Sequence, residues 1–329
     1  MKKNLNVDAM ILDLRNVQED FLDRYEQIKL DCMIALTTPR VQALLSQYNV
    51  LLDSMLCQNV PEDASAGVIN GKFTLNAASQ ITAGQVLVVN GKLTIAPDAA
   101  EVLQQYSGIA VNGKIYCPQS LSALVSTCCT LNGKLVVYPD DAVILPGRSA
   151  KLDNTFLLRA QDRIYWNERL FLAVEPKLDT AALTAKGCRF SAPKAILCES
   201  LAAALAPLFP DSTELVIVQD GTAVVDDDLE LTASALRRYG SRLHVLGDVT
   251  IPAESADLLA RVESLHVTGE VQLPEELEDA FYAIPDLECG KVVHEAPLPP
   301  ETPFMDDEKP DPDTVTLSGT AAAQADQWE

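Results

Sequence analysis

His244 and His266 stand 22 residues apart, each between apolar neighbours. Imidazoles at matched positions of adjacent strands make half of a metal site. No carboxylate or cysteine is read at the same position of the surrounding motif. The expectation is therefore a surface pair, side by side and facing outward, with no metal. Eight cysteines are present, and none form a Cys-x-x-Cys pair. Zinc-knuckle and thioredoxin spacings are absent, which leaves reduced thiols packed as small hydrophobes. Cys128-Cys129 has no nearby base in sequence and falls on a predicted strand. Asp226-Asp227-Asp228 lacks the alternating ligands and the glycine of a calcium loop. It precedes a helical stretch, Leu229 to Tyr239, whose positive end favours acids. No nucleophile elbow, phosphate loop, dinucleotide fingerprint or His-Glu-x-x-His is present. These absences predict a non-catalytic chain without a cofactor.

The elements that would hold such residues come from a repeat. Asn-Gly-Lys occurs at Asn70-Gly71-Lys72, Asn90-Gly91-Lys92, Asn112-Gly113-Lys114 and Asn132-Gly133-Lys134, each between alternating apolar residues. A degenerate copy sits at Trp166-Asn167-Glu168-Arg169. Later copies carry Leu246-Gly247-Asp248 and Thr268-Gly269-Glu270. Between roughly 140 and 240 the register slips. Alternation on both sides of the glycine is strand periodicity with one buried face. A proline then ends several copies, because it cannot donate into a ladder, and short helical or loop segments follow. A unit of about 22 residues cannot close a core alone, so units must stack. The competing local reading is a hairpin, since Asn-Gly between alternating apolar residues favours a type I′ turn. Leu246 and Thr268 hold the asparagine's slot in the late copies and resist the positive φ of such a turn. Both readings stay open from sequence.

Leu259-x-x-Val262-x-x-Leu265-x-Val267-x-Gly269-x-Val271-x-Leu273-Pro274-x-x-Leu277 resembles a leucine-rich repeat, and Leu246-x-x-Val249-Thr250-Ile251-Pro252 resembles the repeats of bacterial BspA-type proteins. The likeness spans residues 68–285, with clear matches in six units. The turn after the strand is one residue shorter than in the common repeat, and its asparagine is missing from the last two copies. The resemblance implies an α/β solenoid of short parallel strands with helical or loop returns, and a protein-interaction scaffold as its use.

Three zones follow: an N-terminal helical cap over residues 1–60, a repeat solenoid over 61–289, and an acidic, proline-rich tail over 290–329. In the cap, Thr38-Pro39 starts a second helix that buries Leu44, Leu51 and Leu52. Stacking places Lys72, Lys92, Lys114 and Lys134 in one stripe, a candidate surface for an acidic partner or for the tail from Glu295 to Asp313. The composition fits this reading. Across 329 residues, 25 Lys and Arg face 47 Asp and Glu, for a net charge of −22, which opposes binding to nucleic acid or anionic membranes. A carbohydrate-active enzyme on a parallel β-helix is the remoter alternative; it needs clustered acids and aromatics on one sheet face, and aromatic residues make up only 5%. No signal-peptide core follows Met1-Lys2-Lys3. The expectation is a soluble, cytoplasmic, microbial protein that binds another protein. Self-association is the alternative, because uncapped solenoid ends stack.

Overall fold

The computed structural model describes residues 2–294 and 314–324. The chain is α/β, with short parallel strands gathered in several sheets. It divides into two compact units, Met1–Asp140 with Met305–Glu329, and Asp141–Phe304. Every strand pairing among the described residues is parallel. Parallel neighbours need a crossover between them, which here is a short helix or a loop. No helix among the described residues is long and apolar enough to cross a membrane.

The first unit opens with strands where the sequence predicts helices. β1 (Lys3–Asp13), β2 (Tyr25–Thr37) and β3 (Val50–Asn59) form one sheet. The N-terminal helical cap is thereby overturned. Ile28, Leu30, Cys32, Ile34 and Leu36 are all buried along β2, a period of two that decides for strand over helix. Of the expected pair, the first helix shrinks to one turn, Glu19–Leu22, and the second survives as Pro39–Leu45. Thr38 caps it as expected, its hydroxyl accepting from the Val41 N–H at 3.1 Å. The chain then turns to pair β3 with β2. That places Leu51 and Met55 outward, 54% and 65% exposed, so Leu51 is not the core residue that the helical reading required.

The outer edge of β1 is taken by a strand from the far end of the chain, Thr314–Gln324, running parallel from Asn4↔Thr314 to Asp13↔Gln324. The expected tail of 290–329 is thus partly strand. Its most acidic stretch, Glu295 to Asp313, lies outside the described residues. Covering an edge removes a template for unwanted pairing. Deleting residues 314–329 is therefore expected to bare β1 and make the chain associate. The check is sedimentation velocity across a concentration series, and a truncation that stays monomeric throughout would rule out the covering role.

β4 (Ala66–Leu75), β5 (Val86–Ile95), β6 (Gly108–Pro118) and β7 (Cys129–Tyr138) form the second sheet. The asparagines of the motif pair Asn70↔Asn90↔Asn112↔Asn132, and the glycines and lysines align beside them. Each Asn-Gly lies in the middle of a strand whose neighbours run parallel, and among the described residues none other than glycine has positive φ. The hairpin alternative is thereby excluded. The two sheets of this unit share a core, with Ile11, Ile34, Leu36 and Leu56 against Val86, Val88 and Ala110. The far face of the second sheet packs Leu93, Ile95, Ile115 and Cys117 under Leu103 and Val125 of the return segments.

In the second unit, β8 (Ala142–Ile144), β9 (Ala150–Lys151), β10 (Ile164–Trp166), β11 (Leu170–Ala173), β12 (Arg189–Ser191), β13 (Lys194–Cys198) and β14 (Glu214–Val218) make two sheets, β8-β10-β12 and β9-β11-β13-β14. Phe171, Phe190 and Phe209 meet in their core, with ring centroids 5.2–5.7 Å apart. A third sheet holds β15 (Ala223–Val225), β16 (Leu229–Glu230), β17 (Arg242–Val245), β18 (Val249–Thr250), β19 (Ser264–Leu273) and β20 (Asp286–His294). Gly247 and Gly269 stack at its corner, the Gly269 N–H donating to the Gly247 carbonyl at 3.2 Å. The helix expected from Leu229 begins at Ala233, capped by Thr232, because Leu229 and Glu230 pair with β18.

Candidate binding groove and basic stripe

Two arrangements bring chemically capable side chains together. In the first unit, the sequence-predicted stripe forms as a column, Lys72↔Lys92↔Lys114↔Lys134. The amide ladder beside it holds the register. Asn112 Nδ2 donates to Asn90 Oδ1 at 3.1 Å, and Asn132 Nδ2 to Asn112 Oδ1 at 2.9 Å. Lys92 Nζ sits 3.6 Å from the centroid of the Tyr116 ring, a cation–π contact that offsets part of the repulsion among neighbouring lysines.

The second arrangement lies in the second unit, where the repeat slips. β14 ends one sheet and β15 ends the next, so the ladder of strands is interrupted between them. A groove of about 680 Å³ opens there, lined on one side by Lys194, Glu214 and Val216 and on the other by residues of β17, β19 and β20. The strand register puts His244, His266 and Glu288 in one row, with Ser264 and Asp286 paired alongside. The expectation that no carboxylate shares the histidines' position is corrected, because β20 supplies one. Sequence reasoning missed Glu288 and Asp286. The signal was present in Cys289-Gly290-Lys291-Val292, a further copy of the motif cut by a boundary drawn at 290.

His266 is held from both sides. Its Nε2 lies 3.2 Å from Asp286 Oδ1 and its Nδ1 3.3 Å from Glu288 Oε2. Asp286 also accepts from the Ser264 hydroxyl at 2.8 Å. That bond, then the one to His266, lowers its pKa from the ordinary carboxylate value. His244 differs sharply. Its ring centroid is 5.9 Å from that of His266, yet it is only 9% exposed and neither nitrogen has a hydrogen-bond partner. It is thus not half of a surface pair but part of a groove wall. Its pKa is lowered from 6.5, chiefly by burial, then by His266 and Lys194, with Glu288 opposing. Lys194 is itself paired with Glu214 at 3.2 Å.

The sign of the pH effect follows. A histidine whose folded pKa lies below its unfolded one binds fewer protons when folded, so stability falls as pH drops below about 6.5 toward the folded value. His244→Phe is expected to flatten that part of the stability–pH curve. Urea melts at a series of pH values check it, and an unchanged slope in the variant would remove His244 as the cause.

Other candidates from the sequence resolve into structural work. Asp228 Oδ1 accepts from the Asp248 N–H at 2.9 Å, and Asp248 Oδ1 from the Glu270 N–H at 2.7 Å. Asp227 pairs with Arg148 at 3.0 Å. In the late copies, acids near the glycine corner thus accept from backbone N–H groups of the next strand, where the early copies carry the asparagine ladder. Asn167, fully buried, donates to the carbonyls of Leu145 and Gly147 and accepts from the N–H groups of Arg169 and Leu170. Cys128 and Cys129 straddle a helix–strand junction with sulfurs 3.7 Å apart. The bond from Cys129 lowers the Cys128 pKa to about 7. Among the described residues, no group of three or more His, Cys, Asp or Glu is placed to hold a metal ion. No protein-family model, curated protein or solved structure matches the chain.

Proposed function

We propose that the chain is a non-catalytic, cytoplasmic protein-interaction scaffold built on a leucine-rich-repeat-like solenoid. The observation that supports this reading is the exact alignment of like residues on neighbouring strands. Four lysines at one column position, on strands about 4.8 Å apart, make a linear array of charge. A column of this kind presents one chemistry over a length that a compact active site does not need. In a chain of net charge −22, a local basic stripe selects acidic surfaces and steers their approach.

The test uses the full chain and its Lys72→Ser/Lys92→Ser/Lys114→Ser/Lys134→Ser variant as immobilised baits, at low and moderate salt. Proteins retained by the wild type are expected to be lost with the variant, and salt is expected to mimic the loss, since screening acts over about 10 Å at 0.1 M. Identical retained sets from both baits would overturn the stripe as the contact surface. Self-association is the second reading, favoured by β20, whose one strand partner among the described residues is β19. Sedimentation velocity of the full chain across a concentration series separates the two, since only self-association makes its apparent mass rise with concentration.

A further inference from the structure

We propose that the groove between β14 and the β17-β19-β20 sheet is a recognition site for an arginine side chain presented by a protein partner. This rests on the interaction reading above and names the partner's chemistry at a second, independent site.

Charge comes first. Of the ionisable groups around the groove, Lys194 is neutralised by Glu214. Asp286 and Glu288 share the single imidazole of His266, so at least one negative charge remains whichever form that ring takes. Glu199 adds another at the rim. The site therefore accepts a cation and repels phosphate or carboxylate. The carboxylates are within reach, their side chains 51% and 79% exposed.

The shape of the cation comes from His244. A buried polar group without a partner is costly unless something binds it. A buried imidazole kept neutral offers one ring nitrogen as an acceptor and one N–H as a donor. Both ring nitrogens are enclosed, so the ring must turn out of the wall to be used. An arginine residue in a peptide then meets both needs, its guanidinium donating to the bare nitrogen and its peptide carbonyl accepting the N–H. The guanidinium is flat, is less strongly hydrated than an ammonium, and carries five donors in a fork that fits a carboxylate such as Glu288. A lysine ammonium is compact and strongly hydrated, and lacks the fork. The apolar wall, with Val216, Val218 and Leu243, suits the methylenes of the arginine stem. The groove's 680 Å³ falls within the range of small-ligand sites, enough for a side chain with its flanking backbone.

The experiment is an NMR titration of the full chain, following the histidine ring Cε1–H signals. The probes are N-acetyl-Gly-Arg-Gly-amide and its lysine and citrulline counterparts. Citrulline keeps the shape of arginine and removes the charge. The arginine peptide is expected to shift the His244 and His266 signals saturably, with the citrulline and lysine peptides at least about tenfold weaker. Glu288→Gln changes an exposed residue and is expected to weaken the arginine peptide by a similar factor while leaving the melting temperature unchanged. Equal response to all three probes, no shift at millimolar arginine peptide, or full affinity in Glu288→Gln would each overturn the proposal. The peptide assay needs no natural partner, and the lysine-stripe variant leaves the groove intact. Failure here and failure of the scaffold reading are therefore seen separately.

Discussion

Gly113→Ala is expected to destabilise the first unit by about 4 kcal/mol, the sum of two effects. Gly113 has φ +135°, where a side chain costs about 1–3 kcal/mol of backbone strain. A Cβ there would also run into the carbonyl oxygen of Gly91 on the neighbouring strand. That atom is backbone in a paired ladder and cannot swing aside, so the strands must part, at about 1–3 kcal/mol by analogy with overpacked cores. Gly71 is the internal control. Its φ is +110°, but nothing lies within 4 Å of its would-be Cβ, so Gly71→Ala carries only the strain. Urea denaturation of the two variants should therefore give clearly unequal losses. Equal losses would contradict the close stacking of the glycine column.

A second large effect is expected at Asp13. Its carboxylate takes both forks of Arg15, from Nε at 2.8 Å and Nη2 at 2.6 Å, and both residues are buried, 6% and 7% exposed. Arg15 Nη1 reaches on to the carbonyl of Ala64, tying the end of β1 to the segment before β4. The Asp13 hydrogen bond raises the Arg15 pKa further. Asp13→Ala leaves an uncompensated guanidinium in the core and is expected to cost about 3–5 kcal/mol. Asp13→Leu with Arg15→Met should recover most of that, because removing both charges removes the desolvation cost with the attraction. A double-mutant cycle by chemical denaturation measures it, and a double variant as unstable as Asp13→Ala would show that the pair contributes more than mutual neutralisation. The contrast with the exposed pair Arg40–Glu62, 45% and 56% exposed, is instructive. Breaking that pair is expected to cost no more than about 1 kcal/mol.

The ladder region was legible because repetition makes its own evidence. Four copies of Asn-Gly-Lys fix both the period and the column, and the pairing follows residue for residue. The N-terminal sheet is hidden from sequence because Leu22, Tyr25 and Ile28 fall near helical spacing, while the alternation from Ile28 to Leu36 is the stronger pattern. The same period was there to find. β1 pairs Leu5 with Ile28, and β2 pairs Ile28 with Val50, offsets close to those of the marked copies. Without a glycine corner nothing advertised it. The strand from 314 to 324 had no such signal, since its partner is fixed by a contact across nearly the whole chain. At the groove, the histidine pairing is legible in the sequence and its carboxylate neighbour is not, because the change of composition near residue 290 hides the last copy of the repeat.

The pairing of β1 with Thr314–Gln324 also sets an order of events during synthesis. Asn4 leaves the ribosome some 310 residues before its partner Thr314. At about 5–20 residues per second, the outer edge of β1 waits on the order of 15–60 s. Through that interval the nascent chain offers neighbouring chains a bare strand edge, the ordinary nucleus of misassembly. Overexpression, which crowds ribosomes and lengthens the exposure of many such edges at once, should therefore depress the soluble yield more than the stability of the finished protein would suggest.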